Sequence, residues 1–123
     1  MSVVLITPDN YQTLGHIIRA YAEQTVREYL ELVIVAPSAD HLDIVESDLE
    51  CFPGYQVVEI GAFDSNAVAR AAGVRAARTP LVAFAEDHCF PAPDYAERLI
   101  ERHREAWSGV GPRIHNANPR SAE

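Results

Sequence analysis

The chain has 123 residues, 48 % of them hydrophobic, and a formal charge of −8. That length suits one domain with a sizeable core. The acidic balance excludes an electrostatic binder of nucleic acid or anionic membranes, and no apolar run is long enough to span a bilayer. Cys51 and Cys89 lie far apart and form no CxxC pair, the pattern of reduced thiols in a cytosolic protein. Met1-Ser2 leads straight into an apolar run, so a cytoplasmic location without a secretory signal is expected.

Ser2 to Thr7 (SVVLIT) is β-branched and apolar and predicts a first strand. Pro8-Asp9-Asn10 is a turn, with Asn10 placed to cap the next helix. Leu14, Ile17, Ile18 and Tyr21 recur at helical spacing and predict an amphipathic helix to about Gln24. Leu30 to Val35 (LELVIV) predicts a second buried strand, closed by Ala36-Pro37-Ser38. Ser38 is placed to cap a helix over 39–49, with Leu42, Ile44, Val45 and Leu49 as its apolar side. Pro53-Gly54 is a turn, and Tyr55 to Ile60 (YQVVEI) predicts a third strand. The alanine-rich stretch from Ser65 to Ala77 predicts a helix, in which Gly73 allows close packing against a sheet. Leu81 to Glu86 then predicts a strand buried on both faces. A helix is expected over 93–106, with Pro93 in its first turn. Trp107 to Ile114 (WSGVGPRI) predicts a last edge strand, with Trp107 in the core. The folded unit is expected over 1–114, with 115–123 as a polar tail.

Repeated strand-helix units imply an α/β fold, a mostly parallel Rossmann-like sheet with helices on both faces. Such sheets bind ligands outside the carboxyl ends of their strands. Three of those ends carry Thr7-Pro8-Asp9-Asn10, Ala36-Pro37-Ser38 and Glu86-Asp87-His88, and strands lying side by side would bring them to one crevice. The last triplet offers side chains that bind cations. It also reads as an acidic turn that keeps a loop soluble. In an extended chain Glu86 and His88 point one way and Asp87 the other. His16 and His41 read as surface or half-buried side chains, and Arg19, Arg75 and Arg78 as solvated.

From Ser2 to about Ile114 the sequence resembles the nucleotide-binding half of a family 2 glycosyltransferase of the GT-A fold. The resemblance rests on the end of the first strand with Asn10, on Glu31-Leu32-Val33-Ile34-Val35, and on Ala69-Arg70-Ala71-Ala72-Gly73. It rests also on the strand running into Glu86-Asp87-His88, with Pro91 after it. The family shows an Ala-Arg-Asn-x-Gly helix, then an apolar strand ending in Asp-x-Asp. The resemblance implies sugar transfer from a nucleotide-diphosphate sugar to an acceptor that remains unassigned. It implies nucleotide contacts from Thr7, Pro8, Asp9, Arg70, Glu86 and Asp87. It further implies a divalent cation, Mn²⁺ or Mg²⁺, on Asp87 and His88. Carboxylates suit both ions and imidazole suits Mn²⁺ better.

The sequence departs from the family at three places. Glu86-Asp87-His88 stands for Asp-x-Asp, and Thr7-Pro8-Asp9-Asn10 stands for Pro-Thr-x-Asn. Ala36-Pro37 replaces the acidic pair that meets uracil and ribose, which opens the choice of base to GDP as well as UDP. The chain is expected to stop where the family begins its acceptor half, so no residue is assigned as general base and no transfer is expected from the chain alone. A non-catalytic nucleotide- or metal-binding module of the same fold is the alternative reading. A receiver-like domain is discounted, because Ile60-Gly61 stands where it needs Asp and the chain has no lysine. An uncovered apolar edge or face makes self-association an expectation.

Overall fold

The structure, a computed structural model, describes residues 1–40 and 42–116. Four strands form one sheet in the order β3-β2-β1-β4: β1 (Ser2–Ile6), β2 (Glu31–Ala36), β3 (Gly54–Glu59) and β4 (Val82–Ala85). Every pairing is parallel. Val3 and Val4 of β1 face Leu32 and Val33 of β2 on one side and Ala83 and Phe84 of β4 on the other. The β1 and β2 side chains are almost wholly buried, as parallel strands covered on both faces require.

The period of two along the strands divides the core into two layers. Val3, Leu5, Leu32 and Ile34 point to one face and meet α1 (Tyr11–Ala22) and α3 (Tyr95–Arg102). Val4, Val33 and Val35 point to the other and meet α2 (Asn66–Ala76). Asn10 caps α1 as its sequence position implies, its Oδ1 accepting the Gln12 N–H at 2.9 Å. Ser65 caps α2 through the Val68 N–H at 3.3 Å. Gly73 is where α2 touches the sheet. A Cβ there would stand 2.4 Å from Val4 Cγ1 and 3.1 Å from Val35 Cγ2. Buried Gln24, just past α1, accepts the Ala96 N–H at 2.9 Å and donates to the Ala92 carbonyl at 2.8 Å. It thereby satisfies the first turn of α3 from inside the protein.

Three expectations fail. No α-helix forms over the described part of 39–49; a short 3₁₀ turn, Glu46–Asp48, stands there instead. Asp43 adopts φ 50°, in the left-handed region that a helix cannot pass through. Leu42 and Leu49 are buried nonetheless, so these apolar residues anchor a loop rather than a helix stripe. The Leu42 carbonyl accepts the Tyr11 N–H at 2.8 Å, and Asp48 meets both the Tyr11 hydroxyl and Arg19, the latter at 3.0 Å. Arg19 is therefore paired, and Ser38 caps only a tight turn to the Asp40 N–H.

The strand expected over Trp107 to Ile114 is also absent. Gly109, Gly111 and Pro112 weaken any ladder there, and Trp107 is 60 % exposed rather than core, its indole N–H bonded to Glu105. The third failure is β4, which is half-buried with Phe84 47 % exposed. It pairs only with β1 among the described strands, and α2 sits over β1 and β2 instead. His41 and the part of the polar tail over 117–123 lie outside the described residues.

Candidate functional site at the ends of β1 and β4

Strand order locates the crevice. The chain runs outward from β1 through β2 to β3, then crosses the sheet to β4. The order reverses between β1 and β4, and their carboxyl ends flank the switch point where α/β sheets take ligands. On the β1 side the Thr7 side chain turns inward. Its hydroxyl lies 3.1 Å from the Thr13 hydroxyl and accepts the Asp9 N–H at 3.2 Å. Thr7 therefore shapes the turn, while Pro8 and Asp9 stand exposed at its tip.

On the β4 side the loop is held from three directions. Arg70 of α2 donates to Glu86 Oε1 at 3.1 Å while its guanidinium lies 5.5 Å over the Phe84 ring. An exposed pair of this kind adds little to stability, and its effect is to aim the carboxylate. His16 of α1 reaches across the switch point, its Nε2 lying 2.6 Å from the Asp87 carbonyl with the Phe90 ring 5.4 Å away. His88 bridges the loop's two carboxylates, with Nδ1 2.9 Å from Asp87 Oδ1 and Nε2 3.3 Å from Glu86 Oε2. The hydrogen bond to Asp87, followed by the charges of Glu86 and Asp87, raises the His88 pKa above the ordinary histidine value. Cys89 completes the turn with Sγ 4.0 Å from Glu86 Oε2. One donor atom each from Glu86, His88 and Cys89 converges within 4.8 Å.

A family model described as Glycosyl transferase family 2 matches residues 2–122. The chain belongs to that family. No curated protein sequence matches it. Solved structures of S. aureus TarS match its shape. TarS 1-349 superimposes with a TM-score of 0.69 at 17 % identity, over 92 % of this chain and 38 % of that one. TarS 1-349 in complex with UDP gives 0.64 at 18 % identity over the same shares. A longer TarS structure gives 0.63 at 18 % identity, over 91 % of this chain and 23 % of that one. The chain thus spans well under half the length of the TarS chains it matches. At that identity the likeness carries the fold, a parallel Rossmann-like α/β sheet of GT-A type.

Within this family 2 fold, the residues singled out from sequence fall into two groups. Arg70, Glu86, Asp87 and His88 come together in one contact network. Thr7, Pro8 and Asp9 sit on the neighbouring strand end, and among the described residues their hydrogen bonds run to Asn10, Thr13 and the strand rather than to that network. Two further residues belong at the site and were not singled out. Cys89 follows the triplet by one position, and only the turn brings its sulfur back toward Glu86. His16 lies 71 positions from Asp87, and its approach depends on α1 packing beside β4. The strand order, which sets β4 beside β1, permits that neighbourhood, and the order itself cannot be read from a list of strands. Among the described residues no helix is long and apolar enough to cross a membrane.

Proposed function

We propose that this chain binds the diphosphate of a nucleotide-diphosphate sugar in the crevice between the ends of β1 and β4, for sugar transfer to an acceptor. The observation that carries the reading is the Arg70-braced Glu86-Asp87-His88 loop at the strand end beside the switch point, in a chain of the glycosyltransferase family 2. The UDP complex of TarS, a protein of the same fold, supports it. In this reading Pro8 and Asp9 meet the nucleotide from the β1 side. Arg70 keeps Glu86 oriented, and the exposed His88 and Asp87 present the loop's polar atoms to the ligand.

The donor atoms at the loop suit a divalent ion: a carboxylate oxygen, an imidazole nitrogen and a thiol sulfur. When bound, such an ion supplies neutralisation of the charge that builds on a departing diphosphate. Ala36-Pro37 at the end of β2 brings no carboxylate to a base or ribose, so a guanosine nucleotide is as admissible as a uridine one.

Calorimetry with UDP and with GDP, each in the presence of Mn²⁺, tests the reading. Saturable binding of at least one is expected, weakened about ten-fold or more in Glu86→Ala, which removes both the braced carboxylate and a donor atom. If neither nucleotide binds, or if Glu86→Ala binds as the parent does, the crevice is not the nucleotide site.

A further inference from the structure

The donor set at the β4 loop is a poor match for the all-oxygen cage that Mg²⁺ prefers. We propose that Glu86, His88 and Cys89 form a zinc-class transition-metal site, with Asp87 as the carboxylate that orients His88 rather than as a ligand. The inference rests on the diphosphate reading for the site's purpose, and its test uses no nucleotide.

Geometry carries it. With Zn–N and Zn–O near 2.0 Å and Zn–S near 2.3 Å, a tetrahedral ion holds its N and O ligands about 3.3 Å apart and its O and S ligands about 3.5 Å apart. Here His88 Nε2 and Glu86 Oε2 are 3.3 Å apart, and Cys89 Sγ stands 4.0 Å from the same oxygen. Glu86 can give that oxygen because Arg70 holds the other one. The second argument concerns the far side of the ring. Asp87 Oδ1 lies 2.9 Å from His88 Nδ1, so an Nδ1–H donates to that carboxylate and Nε2 is the ring atom that faces Glu86 and Cys89. A carboxylate behind a histidine is the usual way a ligating imidazole is fixed in tautomer and direction. In the metal-free protein an Nε2–H to Oε2 ion pair spans that 3.3 Å gap, and a bound cation would take the place of its proton. His16 adds rigidity by bonding the Asp87 carbonyl from α1. Three protein ligands leave one position of a tetrahedral ion open, the arrangement of sites that exchange a water or a substrate oxygen.

The test is metal titration of the full chain under a non-thiol reductant, with Zn²⁺ and Mg²⁺ by calorimetry and with Co²⁺ by absorption. Zn²⁺ is expected to bind at least about 100-fold more tightly than Mg²⁺, and Co²⁺ to develop a thiolate charge-transfer band. Cys89→Ser should lose the band and about ten-fold or more of the Zn²⁺ affinity while leaving Mg²⁺ unchanged. Asp87→Asn should keep the band and lose about 10–100-fold in Zn²⁺ affinity. Cys51→Ser, which changes the other exposed thiol, should behave as the parent. The loop is exposed, so unchanged circular dichroism checks that each variant folds. A Cys89→Ser chain that binds Zn²⁺ as tightly as the parent, or a band lost with Cys51→Ser instead, overturns the site. An Asp87→Asn chain with undiminished affinity overturns the orienting role. Failure of UDP and GDP to bind sinks the nucleotide reading and leaves these results standing.

Discussion

His88 is the residue on which the loop's chemistry turns, because its two ring nitrogens face different carboxylates. The bond to Asp87 is the larger cause of its raised pKa, and the charge of Glu86 adds to it. In metal-free protein the ring therefore holds its proton above the ordinary histidine value, near 6.5. The sign follows from linkage. Any stabilisation from the imidazolium contacts is fully present below the unfolded-state pKa and is lost as pH rises through the raised one. His88 is exposed, so the global melting temperature should stay flat across that window. An NMR titration of the ring in chelator should give a raised pKa, returning toward the ordinary value in Asp87→Asn. A pKa unmoved by that substitution would mean the Asp87 contact does not hold in solution. The triplet was legible as chemistry because a strand end places its side chains in the open. Its internal division of labour was not, since alternation along an extended chain says nothing about a turn. Glu86 and His88 do come within ion-pair distance, but the turn also brings Asp87 onto His88 and Cys89 onto Glu86.

At the scale of elements, the sequence was read well wherever local chemistry and tertiary packing agree. Asn10, with Leu14, Ile17, Ile18 and Tyr21 after it, makes α1 at once a capped helix and a core face. Asn10→Ala should cost about 1 kcal/mol in urea denaturation, since the Gln12 N–H loses its acceptor. Gly73 tests the opposite balance. Alanine is the better helix former by about 1 kcal/mol. Its methyl would collide with Val4 and Val35, two buried side chains on adjacent central strands. Overpacking of that kind costs about 1–3 kcal/mol, so Gly73→Ala should be destabilised on balance. A variant more stable than the parent would show that α2 can lift off the sheet. The reading failed where apolar residues serve tertiary contacts without regular structure. Leu42 and Leu49 fall at a spacing a helix would accept, yet they pin a loop under α1, and Asp43 turns the backbone out of the helical region. Trp107 and Ile114 have strand-forming side chains, but no strand among the described residues pairs with them.

At the scale of the whole molecule, the sheet order joins the pieces into one device. Placing β1 between β2 and β4 brings the ends of three strands together and lets α1 contribute His16 to a loop that follows β4. The buried side chains beneath those ends make the frame rigid; Ile34, wholly buried in β2, is one of them. Ile34→Ala should lower stability by about 2–5 kcal/mol in a single cooperative transition. The frame also makes a prediction about coupling. A cation held by Glu86, His88 and Cys89, as proposed, would have a position left that water or a ligand oxygen can fill, and in the proposed function that oxygen belongs to a diphosphate. Ion and nucleotide should then raise each other's affinity by the same factor, because coupling free energy is reciprocal. Such couplings amount to about 5–150-fold. The check is a closed cycle: UDP or GDP titrated in chelator and in saturating Zn²⁺ or Mn²⁺, then the ion titrated with and without the nucleotide. Matching factors within that range are expected, shrinking together in His88→Ala. A nucleotide that binds equally well in chelator would separate the two sites and remove the diphosphate from the β4 loop.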